Sequence, residues 1–116
     1  MNAAAILVAA AQCFAAADQS LRAGEGNQAI RARLEECLAD SEAHPASATA
    51  MACYEQTLWV ASFFASKHRG VTLRRAQRGY PQGFETLLEE VYRSEKAEVD
   101  FRRDWFVDCA LQPRRE

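Results

Sequence analysis

Residues Ala48–Ser66 read ATAMACYEQTLWVASFFAS, the densest run of large apolar side chains in the sequence. Met51, Tyr54, Leu58, Ala61 and Ala65 recur at helical spacing. Cys53, Val60, Phe63 and Phe64 widen the apolar surface almost around the helix, and Trp59 adds bulk. A helix apolar on most sides belongs in the middle of a fold, covered by the other elements. At about nineteen residues the stretch is long enough to span a bilayer. Glu55, Gln56 and Thr57 interrupt it, however, and small residues are frequent. The reading is therefore a core helix, with no membrane as partner.

Working outward, Ala3 to Ala23 predicts an amphipathic helix with Asn2 as N-cap. Ile6, Ala10, Cys13, Ala17 and Leu21 mark its stripe, with Leu7 and Phe14 beside it. The alanine-rich start resembles the middle of a signal peptide, but the first basic residue is Arg22, so a positive n-region is missing and export is not expected. Gly24-Glu25-Gly26 ends this helix. A second helix is expected from Asn27, as cap, to Asp40, on the stripe Ile30, Leu34, Cys37 and Leu38. Ser41 to Ala46 is a loop containing His44 and Pro45, and Ser47 caps the central helix.

After the central helix comes Lys67 to Gly79, KHRGVTLRRAQRG, which holds five of the 14 basic residues. Val71-Thr72-Leu73 fits either a short extended piece or the start of a helical turn. Tyr80-Pro81-Gln82-Gly83 is a turn, placing Pro81 near the start of a last helix from Gln82 to Leu111. The polar run Arg93 to Glu98 divides that helix and marks a bend or break near Ser94. Glu89–Arg93 and Glu98–Arg102 have the favourable i,i+4 spacing for ion pairs. Gln112 to Glu116 is a frayed tail. The expected architecture is all-α: a compact bundle of four or five helices forming one domain over residues 1–116.

The 116 residues suffice for one core. With 49% hydrophobic and 26% charged residues the composition is that of a globular protein, which argues against disorder. A net charge of −2 lacks the basic footprint of a nucleic-acid-binding domain, so nucleic acid is not the expected partner. Cys13, Cys37, Cys53 and Cys109 are separated by at least 16 residues, without zinc-site spacing. The reading taken is reduced, buried thiols in a cytosolic protein; the even count also permits two disulfides in a periplasmic one.

Catalytic and cofactor signatures are weak. Gly24-Glu25-Gly26-Asn27-Gln28-Ala29 matches GxGxxA, but it follows a helix where a dinucleotide site needs a strand. His44 and His68, the two histidines, have no Glu or His at i±3 or i±4 in a helical motif, and a surface role is expected for both. There is no nucleophile elbow. Glu89-Glu90 reads as a solvated helix face. No enzyme activity, cofactor or metal is expected. The basic run is open to three readings: a solvated loop, a phosphate contact, or a surface for an acidic face of a protein or of the last helix.

Three segments carry a resemblance. They are Val8-Ala9-Ala10-Ala11-Gln12-Cys13, Tyr54-Glu55-Gln56-Thr57-Leu58, and Tyr80-Pro81-Gln82-Gly83-Phe84-Glu85-Thr86-Leu87-Leu88-Glu89-Glu90, about a fifth of the chain. In these segments the chain resembles small all-helical immunity proteins that protect bacteria from type VI secretion effectors. The resemblance implies a cytoplasmic, non-catalytic protein that binds a cognate toxin and occludes its active site, with a homodimer through helix surfaces as a further implication. The candidate contact residues are Arg69, Arg74, Arg75, Arg78 and Tyr80, with the Glu89/Glu90 face as second choice. The alternatives are a secretion chaperone or adaptor, which would hold an extended client segment, and a small ligand- or nucleic-acid-binding regulator using Lys67 to Arg78.

Overall fold

The central stretch does form the longest helix. In the computed structural model, which describes residues 3–39 and 47–111, the elements are α1 (Ala3–Arg22), α2 (Asn27–Ala39), α3 (Ser47–His68), α4 (Leu73–Gly79), α5 (Glu85–Arg93) and α6 (Glu98–Leu111). The expected cap at Asn2, the loop 41–46 with His44, and the tail 112–116 lie outside the described residues. Among the described residues the chain is all-helical, and no helix is long and apolar enough to cross a membrane.

Among the described residues six helices replace the four or five expected, for two local reasons. Thr72 resolves the ambiguous Val71-Thr72-Leu73 piece: its backbone is extended and its hydroxyl accepts from the Arg75 amide at 3.2 Å, which starts α4. The last helix breaks outright. Ser94 is extended, and its hydroxyl accepts from the Lys96 amide at 3.1 Å, forming a local turn between α5 and α6. Pro81 does not open α5, which begins four residues later at Glu85. Asn27 is the first residue of α2 and not its cap, since the Gly26 carbonyl accepts from Ala29 and Ile30.

Two glycines close helices in the same way. At the end of α1, the Gly24 amide donates to Leu21 O and the Glu25 amide to Ser20 O; at the end of α3, Gly70 donates to Lys67 O and Val71 to Ser66 O. Both are Schellman closures, and both need the left-handed backbone found at Gly24 (φ +80°) and Gly70 (φ +82°).

The helices bury their apolar faces in two clusters. The first joins α1, α2, the start of α3 and the end of α6 around Phe14, Ile30, Leu34, Tyr54 and Phe106. The second joins the end of α3 with α4, α5 and the start of α6 around Val60, Phe63, Phe64, Leu88 and Val91. Helices α3 and α6 pack side by side and run through both ends. Four residues expected on apolar stripes are substantially exposed: Leu7, Leu21, Trp59 and Val99.

The cysteines correct the sequence reading. All four are paired, Cys13 with Cys37 between α1 and α2, and Cys53 with Cys109 between α3 and α6, with Cα atoms 5.5 and 5.7 Å apart. Sequence spacing carries no information about which thiols meet in space, and burial is common to free and bonded cysteine. Both bridges lie in the first cluster; the second has none.

Arg102 is the second correction. It pairs not with Glu98 on the helix surface but with Asp18 of α1, at 2.6 Å and 3.1 Å through its two terminal nitrogens. Its Nε donates to the Thr57 carbonyl at 3.0 Å, and the guanidinium lies 5.4 Å from the centre of the Phe14 ring. The Tyr54 hydroxyl donates to Asp18 at 2.9 Å. Asp18, Tyr54, Thr57 and Arg102 are all buried. Burial alone would raise the Asp18 pKa, but hydrogen bonds and charge from Arg102, with Tyr54 and Arg22, hold it below the usual carboxylate value. Burial and the Asp18 carboxylate push Tyr54 upward. The network ties α1, α3 and α6 together beside the Cys53–Cys109 bridge.

Candidate partner-binding surface

The basic segment folds into the end of α3, a turn and α4, and this divides its charges by role. Lys67 is structural. Its ammonium donates to the Val91 and Ser94 carbonyls at 3.1 and 2.7 Å, capping the C-terminus of α5, where a cation also favours the helix dipole. Lys67→Met should therefore cost about 1–2 kcal/mol of stability. Urea denaturation of this variant checks it, and an unchanged midpoint would mean that the last carbonyls of α5 are satisfied without Lys67.

The other four cations are exposed. Arg74, Arg75 and Arg78 share one face of α4 at i, i+1 and i+4, while Ala76 is buried against the second cluster. Among the described residues none of Arg69, Arg74, Arg75 and Arg78 makes an ion pair. The sequence-predicted basic candidates are thus exposed, and none of the four is neutralised by an ion pair among the described residues.

Tyr80 has a different place. Its hydroxyl sits on α3, 2.9 Å from Ser62 Oγ and 3.0 Å from Ser66 Oγ, and donates to the Ser62 carbonyl at 3.3 Å. Its ring meets Phe63 edge-on at 4.7 Å. Burial would raise its pKa, yet the Ser62 and Ser66 hydroxyls and the charge of Arg69 bring it below the ordinary phenol value. Tyr80 therefore anchors the turn after α4 with its hydroxyl and offers only part of its ring.

Sequence reasoning left out of the candidate surface Trp59, which neighbours Tyr80, and Phe84, which packs on Trp59. Trp59 is 40% exposed, packs edge-on against Tyr80 at 5.9 Å and lies over Phe84 at 5.2 Å. The apolar count of α3 assigned Trp59 to the core; its position one residue before the buried Val60, on a helix apolar nearly all round, gave no signal for exposure. Tyr92 steadies the same region by donating to the Val71 carbonyl at 2.8 Å.

The acidic second choice is partly engaged. Glu89 is half-buried and pairs with Arg93 at 3.7 Å, as the i,i+4 spacing predicts; Glu90 is exposed and has no ion pair among the described residues. Helices α4 and α5 pack together, so both candidate patches lie on neighbouring elements, yet no ion pair joins them among the described residues. His68 is exposed beside Phe64, with ring centres 6.2 Å apart.

A separate groove of about 340 Å³ runs between α1 and α6. Leu7, Ala11 and Val107 line it with the charged residues Lys96, Arg103, Asp104 and Asp108, and Asp104 pairs with both Lys96 at 2.8 Å and Arg103 at 3.3 Å. Among the described residues no three His, Cys, Asp or Glu side chains come together in a way that could hold a metal ion. Comparison of the chain with protein-family models, with curated proteins and with solved structures finds no match in any of the three.

Proposed function

We propose that this protein is an immunity protein that binds a cognate bacterial toxin, in the manner of the type VI secretion antitoxins it resembles, and occludes the toxin's active site. The observation that carries the reading is that Arg69, Arg74, Arg75 and Arg78 are all exposed and make no ion pair among the described residues, with Trp59 40% exposed on α3. Arginine and aromatic side chains on a rigid support are the usual anchors of a protein interface, and unopposed charge speeds capture of an oppositely charged partner. The protein acts by binding and not by catalysis. The implied homodimer would use α1, whose Leu7 and Val8 are 49% and 56% exposed. For location, two disulfides support an oxidising compartment over the cytoplasm that the sequence suggested.

The test is co-purification of the tagged protein with the product of the adjacent gene, followed by growth on co-expression. A stoichiometric complex that rescues growth supports immunity, while a complex with an unfolded secretion substrate supports the chaperone alternative. Within a confirmed complex, Arg74→Glu with Arg75→Glu should abolish protection while circular dichroism and melting temperature stay unchanged, since both side chains are exposed and bond to nothing among the described residues. Undiminished toxin affinity in that variant would remove α4 from the interface.

A further inference from the structure

We propose that α2 is a redox-latched flap: reduction of the Cys13–Cys37 bridge releases it from α1 and α3, whereas reduction of Cys53–Cys109 releases no element. The inference does not depend on the partner surface, since both bridges lie in the first cluster. Besides its bridge, α2 has few ties. Of its 13 residues only Ile30, Leu34 and Leu38 are buried, a stripe one side chain wide on a helix packed against α1 and α3. Its ion pairs are local: Arg31 pairs with Glu35 in the same helix, and Arg33 with Glu25 in the preceding turn. A lone helix of such length is marginal in water, so docking has to hold it. Cys37 extends the stripe, and its bond to Cys13 keeps the three side chains at high effective concentration against α1.

The other bridge joins helices that hold together without it. Arg102 Nε of α6 donates to the Thr57 carbonyl of α3 at 3.0 Å, Trp105 Nε1 to the Gln56 side chain at 3.2 Å, and Phe64 meets Phe101 edge-on at 5.5 Å. Both bridges are open to thiol attack, because Cys37 and Cys109 are half-buried while Cys13 and Cys53 are buried. A dithiol reductant attacks the Cys37 sulfur as thiolate; the S–S bond breaks, and Cys13 leaves with the electron pair and takes up a proton. The second thiol then displaces Cys37, which is protonated in turn, and closes the reductant into its own disulfide. Two electrons and two protons thus pass from the dithiol to the bridge. The released α2 uncovers the faces of α1 and α3 that Ile30, Leu34 and Leu38 cover.

The test uses the full chain and trypsin, with cleavage after Arg31 and Arg33, both exposed on α2, read by mass spectrometry. Unreduced protein is compared with two variants, Cys13→Ala with Cys37→Ala and Cys53→Ala with Cys109→Ala. Loss of the first bridge should speed cleavage at these two sites about tenfold or more, because proteolysis follows the population of the locally opened state. Loss of the second should accelerate it about fivefold less than loss of the first. In the first variant the amides of α3 and α6 should stay protected from hydrogen exchange. Dithiothreitol added to the unreduced protein should bring on the same cleavage, and reoxidation should restore the slow rate. Cleavage unchanged by the first variant or by dithiothreitol, equal acceleration in the two variants, or loss of α3 and α6 protection together with α2 in the first variant would overturn the proposal.

Discussion

Arg102→Met should destabilise the protein by about 3–5 kcal/mol, the cost of stranding one partner of a buried ion pair. The substitution fills similar volume but removes three donors at once: the two that reach Asp18 and the one that reaches the Thr57 carbonyl. Asp18 would keep only Tyr54 and the largely solvated Arg22. Asp18→Leu combined with Arg102→Met should cost far less than the sum of the two single changes, because an apolar pair needs neither desolvation nor partners. Chemical denaturation of the three variants measures this. A single-variant loss under about 1 kcal/mol would mean that the pair is hydrated in solution.

The same network sets a pH dependence. The Asp18 pKa is lowered in the fold, so its contribution is present above the unfolded value near 3.8 and is lost as pH falls through the lower folded value. Tyr54 is shifted the other way: its contribution holds below the unfolded value near 10.0 and is lost as pH rises beyond it. Asp18→Asn should therefore flatten the acid limb of the stability curve, and Tyr54→Phe the alkaline limb.

This network also marks where the sequence stopped being legible. Periodicity located the central helix, the break at Ser94 and the Gly24 turn, because each is written in residues within a few positions of one another. Asp18 and Arg102 are 84 positions apart, and nothing near either distinguishes it from a surface charge. The i,i+4 rule even supplied Arg102 with the wrong partner, Glu98, since that rule knows only one helix. At the candidate surface the arginines were legible as a local cluster. Trp59 and Phe84 were not, because their approach depends on how the turn after α4 folds back onto α3. The division of labour between Lys67 and the four arginines has the same origin: its acceptors lie 24 and 27 residues away.

Removing the Cys53–Cys109 bridge as a pair of alanines should cost about 4 kcal/mol, and removing Cys13–Cys37 about 3.5 kcal/mol. The ordering follows from loop length. The first bridge closes a separation of 56 residues and the second one of 24, and the entropy withheld from the unfolded chain grows with the logarithm of that number. The loss should also be local before it is global. Both bridges lie in the cluster built on α1, α2, the start of α3 and the far end of α6, while the Trp59–Tyr80–Phe84 end is held without a disulfide, by aromatic and aliphatic packing and by the hydrogen bonds of Lys67, Tyr80 and Tyr92. Hydrogen exchange in the bridge-free variants should rise first in α1 and α2, with α5 changing little until global unfolding. Partner affinity measured well below the melting temperature should then be retained. Two results would contradict this account: a loss under about 1 kcal/mol for both pairs, or alkylation of all four cysteines in unreduced, denatured protein. Either would restore the reduced thiols read from the sequence, and with them the cytoplasmic location.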